Sequence, residues 1–300
     1  MPISRNMNLD NTKDLLVKAE EVAAVDVHEA KELGYMARSM VQATLPHRAT
    51  SGCEFVRTNG YYTLSLLAPS AVGLPFGSMP RLLLAWVSSE AVISKCRTLE
   101  LGRSLSGFMH SLGYTATGGR WGSIPRLRQQ MHRLFSCAIS CVNTNPAHQE
   151  SYTAAIASQL SLWWDPKTPD QPTLFGSTIT LSQDFFEDVT NNVVPMDMRA
   201  LKALKQSPMA LDIYMFLVLR LSYLRKSTVI PWQSLEAQFG SEYARARDFK
   251  SKFLTTLSKV LMFYPDAKVE PNQAGLLLLP SKLLIKRRFQ GALYAIKPLK

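Results

Sequence analysis

The chain has 300 residues, 46% of them hydrophobic, and a formal net charge of +11, which gives apolar surface for more than one buried core. The longest apolar stretch, Met209 to Leu221, is broken by Asp212 and Arg220 and is too short to cross a bilayer. The polar start MPISRNMNLDNTKD has no apolar run of the kind a signal peptide needs, so the expectation is a soluble cytoplasmic protein without a membrane partner. Residues 201–300 hold seventeen Lys and Arg against six Asp and Glu, so the last third carries the whole positive excess. A localised excess of this sign suits a phosphate backbone, with an anionic membrane surface as the competing partner.

In chain order, residues 9–45 are rich in helix formers, and Leu15, Leu16, Ala19, Val22 and Ala23 recur at helical spacing. Tyr61 to Leu67, bounded by Gly60 and Pro69, predicts a short strand. Pro80 opens the apolar segment RLLLAWVSSEAVI, Gly102 and Gly113 bracket SLSGFMHSL, and Ser123 stands where it can cap a helix running through Arg126 to about Cys141. Ser158 to Trp164 and Ser177 to Leu181 read as strands on either side of the turn-rich DPKTPDQPT, a hairpin with a wide loop. Residues 182–197 end in Val193-Val194-Pro195 and read as a linker.

Beyond it, Arg199 to Lys205, Pro208 to Leu224, Pro231 to Gly240 and Ala244 to Met262 predict four helices, the third closed by its glycine. Lys268-Val269-Glu270 and Gly275 to Leu279 flank PNQA as a β-hairpin. The order helix, short helix, turn, long helix, hairpin thus occurs around residues 76–185 and again around 199–285, which is the winged helix-turn-helix order. The expected fold is α+β: two tandem winged-helix units behind an N-terminal helical extension. The expected boundaries are residues 1–50 for the extension, 51–195 for the first unit, 196–290 for the second and 291–300 for a tail.

Both long helices carry an apolar arc opposite a face able to reach phosphates and base edges. In the first, Leu127, Met131, Leu134, Phe135 and Ala138 fall on one arc and Arg126, Gln129, Gln130 and Arg133 on the other. Arg can pair with guanine O6 and N7, and Gln with adenine N6 and N7; an ordinary solvated face is the plain alternative. In the second, Phe249, Phe253, Leu257 and Val260 form the buried arc, leaving Arg245, Arg247, Ser251, Lys252, Thr255 and Lys259 outward, with Lys250 at the margin. Asp248 could accept from a cytosine or hold Arg245 or Lys252 by an ion pair. Lys268, Asn272 and Gln273 could touch backbone or minor groove from the hairpin, and Lys286, Arg287 and Arg288 form a basic run suited to phosphate anchoring or to plain solvation. The two helices are expected to enter successive major grooves about 10 bp apart.

No catalytic centre or cofactor site is expected. His28, His47, His110, His132 and His148 are isolated, so the paired histidines of a metal-dependent nicking enzyme are missing. GYTATGGRWGS is not a P-loop. Asp165 and Asp170 lie in a proline-rich loop, where turn residues are expected. The four cysteines have no zinc spacing, and Cys137 and Cys141, placed one helical turn apart, read as small packing residues.

Several segments taken together resemble the plasmid-encoded RepA replication initiators: LPFGSMPRLLLAW (74–86), SSEAV, LGRSLSGFMHSLG, TGGRWGSIPRLRQQMHRLF (117–135), LWWDPKTPDQ, PMDMRALKALKQSPMALDIYMFL (195–217), IPWQSLEAQFG and RDFKSKFL. They follow in order across roughly residues 70–280, and the first 50 residues lie outside the resemblance. The resemblance implies a protein that binds repeated sites, the iterons, in double-stranded origin DNA, opens the adjacent AT-rich duplex, and recruits the host initiator and replicative helicase. It also implies a homodimer in equilibrium with the monomer, joined through the first winged helix and able to repress its own gene. A transcriptional repressor that binds an operator without opening an origin is the nearest alternative, and a nucleic-acid enzyme with an unfamiliar metal site a more distant one.

Overall fold

A computed structural model describes residues 3–42, 44–240 and 243–285. Its elements are α1 (Ile3–Ala24), β1 (Leu33–Ala37), α2 (Arg38–Gln42), β2 (Glu54–Asn59), β3 (Tyr62–Leu67), α3 (Ser78–Ser94), β4 (Thr98–Glu100), α4 (Leu105–Ser111), α5 (Ser123–Phe135), β5 (Ala138–Asn145) and β6 (His148–Ala155). They continue with β7 (Ala157–Ser161), β8 (Thr178–Leu181), α6 (Gln183–Asn191), β9 (Val193–Asp197), α7 (Met198–Leu204), α8 (Pro208–Tyr223), β10 (Thr228–Pro231), α9 (Trp232–Phe239), α10 (Ala246–Leu261), β11 (Val269–Pro271) and β12 (Gly275–Leu278). The mixed α+β composition agrees with expectation. The chain forms two compact units, a central one of Tyr35–Val193 and a discontinuous one of Met1–Gly34 with Val194–Lys300.

In the central unit α3 is the core helix. Leu82, Leu83, Leu84, Ala85, Val87 and Ala91 are all buried, and the helix packs against α5 and α6. Buried Arg81 at its start is fixed by donating to the carbonyls of Leu45 (2.6 Å), Gly77 (2.6 Å) and Pro46 (3.2 Å), so this arginine is a strut for the entering chain. A four-stranded antiparallel sheet runs β2-β3-β5-β6. Gly60, at φ +60°, supplies the conformation that the two-residue turn between β2 and β3 requires. A smaller sheet runs β4-β8-β7. Ser39 and Tyr152 both donate to Asp188 Oδ2, at 2.7 and 2.8 Å; burial pushes this carboxyl above the usual carboxylate range, against the pull of those two hydrogen bonds.

In the discontinuous unit α8 is apolar nearly all round and buried along its length. It backs α10, which also meets α9. An aromatic cluster joins these three helices: Phe216 to Phe239 at 5.4 Å between ring centroids, Phe239 to Phe253 at 5.8 Å and Phe249 to Phe253 at 5.6 Å. The three-stranded sheet runs β10-β12-β11, and Leu276 and Leu278 of β12 face the core. The N-terminal helix belongs to this unit: α1 packs on α7, burying Leu15 and Ala19 while Leu16 and Ala23 stay exposed.

The two units share an order. α3-β4-α4-α5-β7-β8 in one corresponds to α8-β10-α9-α10-β11-β12 in the other, and in each the last strand lies between the other two. The central unit differs by the β5-β6 hairpin inserted after its third helix.

Five expectations differ from the structure. The helix predicted to run to about Cys141 ends at Phe135, and Ala138 opens β5, because Ile139, Val142 and Thr144 favour the pleated chain and the period changes to alternate burial at Ile139 and Cys141. Cys137 and Cys141 are therefore not helix neighbours, although both are buried free thiols, pushed by burial to about 12 and about 11. Ser123 is not the cap of α5; Gly122 holds that position, and the Ser123 hydroxyl donates to Thr115 O and accepts from Thr117 N–H (2.9 Å) in the preceding turn. Finally, the stretch expected as a linker contains α6 and β9, and the region 9–45 contains β1 as well as helix.

Candidate nucleic-acid interface

The exposed face of α10 begins one residue before the helix, where Arg245 occupies the cap position. Arg245, Arg247, Ser251, Lys252 and Thr255 are exposed, while Phe249, Phe253, Leu257 and Val260 are buried beneath them. Arg247 is 84% exposed, and its Nε stands 3.8 Å from Asp248 Oδ1, a loose, solvated contact that leaves most of its donors available. The Asp248 carboxylate thus meets its neighbour Arg247, while its backbone N–H donates to Arg245 O at 3.0 Å. Thr255 returns its hydroxyl to Ser251 O at 3.0 Å. Lys259 is half-buried in the last turn, roughly 18 Å along the axis from Arg247 at 1.5 Å per residue, where it complements the negative end of the helix.

Lys250 and the hairpin are organised by Trp232, a residue that sequence reasoning did not single out. The Lys250 ammonium lies 4.5 Å from the centre of the Trp232 ring, and the indole N–H donates to Asn272 O at 2.9 Å. One side chain at the start of α9 therefore ties the β11-β12 turn to α10. A tryptophan following Ile230-Pro231 was the available signal. Asn272 closes the turn on Gly275, accepting its N–H at 2.8 Å, so Asn272 is committed to the hairpin while Gln273 and Lys268 remain exposed. The Lys268 backbone is held by Ser281, whose Oγ accepts its N–H at 2.9 Å. Arg287 and the basic run around it lie outside the described residues.

On α5 the predicted face divides. Arg126 and Gln129 are exposed, together with Arg128 and His132, and the helix contains no Asp or Glu. Burial raises the Tyr114 phenol to about 12, and the charge of Arg126 works against that rise. Gln130 is only 5% exposed, and its Oε1 accepts the Phe76 N–H at 3.0 Å. Arg133 donates to Leu74 O at 3.2 Å and stacks its guanidinium 5.2 Å from the centre of the Phe76 ring. These two were expected to face DNA; the segment 73–77 covers them and they hold that segment on the helix. Arg128, which the helical arcs of the sequence leave unassigned, is exposed on the same helix as Arg126. Just before α5, Trp121 is 82% exposed with the Arg120 guanidinium 5.1 Å from its ring centre.

Among the described residues no group of three His, Cys, Asp or Glu side chains could hold a metal ion, and no helix is long and apolar enough to cross a membrane. The described surfaces offer two helices displaying cations, one in each unit; α5 adds the amide of Gln129, α10 adds the hydroxyls of Ser251 and Thr255, and α10 is flanked by a tethered hairpin.

The family model described as plasmid encoded RepA protein matches residues 74–234. No curated protein sequence matches the chain. Among solved structures, a selenomethionine crystal structure of domains 2 and 3 of RctB is similar with a TM-score of 0.53 at 10% identity, covering 83% of this chain and 99% of that one. A second crystal structure of RctB domains 2–3 gives 0.50 at 11% identity, covering 80% and 94%. At this identity the likeness is one of fold.

Proposed function

We propose that this chain, which belongs to the plasmid-encoded RepA protein family, is a replication initiator that grips double-stranded origin DNA through two winged-helix units. In this reading α4-α5 and α9-α10 are the helix-turn-helix pairs, and β7-β8 and β11-β12 are the wings. The observation that carries it is α10. Exposed cations, Arg245 at the cap and Arg247 and Lys252 on the two flanks of the open face, stand on a helix whose opposite side is locked into an aromatic core, next to a hairpin fixed to it through Trp232. A helix so backed presents its side chains without ordering a loop on binding. Arg126, Arg128 and Gln129 of α5 supply the second contact.

The finer proposals follow the family. The sites are repeated iterons, binding opens adjacent duplex, the host initiator and helicase are recruited, and a dimer joined through the central unit represses the chain's own gene. The protein acts by binding, without a catalytic step of its own. The test is a titration of origin duplex against random duplex at fixed salt, followed by permanganate probing of the origin for unpaired thymines. Tighter origin binding with new reactive thymines is expected. Arg247→Ala should cost about 1–3 kcal/mol of origin affinity if the arginine reads a guanine, and unchanged binding by that variant would remove α10 from the interface.

A further inference from the structure

Trp121, in the turn that leads into α5, is 82% exposed, so its ring adds almost nothing to the core. The turn that carries it is tied down. Thr117 N–H donates to Ser123 Oγ (2.9 Å) and Ser123 N–H to Thr117 Oγ1 (2.9 Å). Ile124 N–H reaches Thr117 O (3.2 Å), and Gly122 N–H reaches Gly119 O (3.1 Å). The chain doubles back so closely that a Cβ on Gly122 would run into the carbonyl oxygens of Thr117 and Gly118. An indole on a backbone held in this way meets a ligand at little ordering cost. The Arg120 guanidinium lies 5.1 Å from the ring centre, so one face of the indole carries a cation and the opposite face is left for a flat ligand.

We propose that Trp121, backed by Arg120, is a stacking site for an unpaired base of single-stranded DNA. The inference rests on the replication-initiator reading, because an opened origin is what presents unpaired bases, and it adds a ligand that the duplex-facing side chains of α5 and α10 do not address. Charge favours a polyanion. Between Glu100 and Glu150 the sequence holds five arginines and no lysine, aspartate or glutamate, and Arg103, Arg120, Arg126 and Arg128 are exposed. An aromatic ring in a cation-rich stretch is the pairing by which proteins hold unpaired strands. Isolation of the ring argues against a protein partner. Between Ile93 and Trp163 in the sequence no other large apolar side chain is exposed among the described residues, whereas protein docking uses a contiguous apolar patch and a base needs only one ring face. Paired bases do not qualify either, since their neighbours in the stack cover both faces, and only a base that has left the stack can lie on the indole.

The experiment uses the full chain as wild type, Trp121→Leu and Trp121→Phe. Each is titrated against oligothymidine, against an oligomer of the same length made of abasic nucleotides, and against fully paired origin duplex. The leucine variant, apolar but unable to stack, should bind oligothymidine roughly tenfold more weakly than the wild type, and the phenylalanine variant should keep most of the wild-type affinity. All three proteins should bind the abasic oligomer alike, because its phosphates are unchanged, and melting temperature and duplex affinity should not move. The proposal is overturned if the wild type binds oligothymidine no more tightly than the abasic oligomer, if Trp121→Leu binds oligothymidine as the wild type does, or if Trp121→Phe loses as much as Trp121→Leu. It is also overturned if the loss falls equally on paired duplex, which would make Trp121 part of the duplex interface, or if Trp121→Leu dissociates a wild-type dimer, which would make a second copy of this chain the occupant. Failure of the wild type to prefer origin duplex over random duplex would count against the initiator reading instead, since the oligothymidine and abasic titrations do not depend on origin sequence.

Discussion

Gln130 and Arg133 are chemically as suited to reading bases as Arg126 and Gln129, yet they are spent on Phe76 and Leu74. Gln130→Ala leaves the Phe76 N–H without its acceptor inside the protein, a loss of about 1–3 kcal/mol. The expected outcome is a lower urea midpoint with DNA affinity retained well below the transition. Arg126→Ala should do the reverse, leaving the midpoint in place while the slope of log affinity against log salt falls by about 1. Paired urea melts and gel shifts on the two variants separate the roles. Asp188 gives a second expectation at this scale. Its folded pKa is raised, chiefly by burial, so the native state binds its proton more tightly than the unfolded state does. Its contribution to stability is then fully present below the unfolded value and is lost as pH rises through the folded one. Asp188→Asn removes that slope, since Ser39 and Tyr152 hydroxyls can still bond an amide oxygen. Urea melts from about pH 4 to about pH 7 should show wild-type stability falling across the part of the range that spans the two values, and a flatter profile for the variant.

Among the elements, the ones legible in the sequence were those with a single unambiguous period. α3, α8 and α10 and the β11-β12 hairpin follow from apolar runs, caps and turn residues. The end of α5 did not, because Leu127, Met131, Leu134 and Ala138 continue the helical spacing past Phe135 by coincidence. The alternation Ile139, Cys141 that marks β5 starts within one turn of it. The covered part of the α5 face was illegible for another reason: periodicity separates two sides of a helix but does not say that a distant segment, here 73–77, folds over one edge of the polar side. Trp232 was missed because its value lies in joining Lys250 to Asn272, which only the assembled unit brings together. The placement of α10 can be tested through Gly240, which closes α9. A Cβ there would meet Phe249 Cδ2 at 2.5 Å, and Phe249 is buried in the aromatic cluster with nowhere to retreat. Gly240→Ala should cost roughly 1–3 kcal/mol through overpacking and weaken origin binding by displacing the N-terminal turn of α10. Adding Phe249→Leu should recover part of both losses, a coupling that urea melts and gel shifts on the single and double variants would measure.

Over the whole molecule the division into units places the first helix with the last domain, although about 170 residues of sequence intervene. The reason lies in specific contacts. Leu15 and Ala19 are buried where α1 packs on α7. Arg199 Nη2 donates to Val25 O at 2.9 Å while it also pairs with Asp197 at 2.7 Å, and Lys202 meets Glu32 at 2.9 Å. Residues 12–32 are thus a cover for α7, and α7 in turn supports α8, the helix on which α10 rests. Deleting residues 1–24 strips the apolar cover but leaves the Glu32 to Lys202 pair, so the loss should be confined to one unit. Hydrogen exchange on the truncated chain should show faster exchange in α7 and α8 with protection of β3 and β5 in the central unit unchanged. Origin affinity should fall through the α10 face, so that Arg247→Ala costs less in the truncated chain than in the full one, while Arg126→Ala costs the same in both. Uniform loss of protection across both units would show instead that α1 stabilises the molecule as a single cooperative body, in which the Arg126 and Arg247 substitutions would no longer act independently.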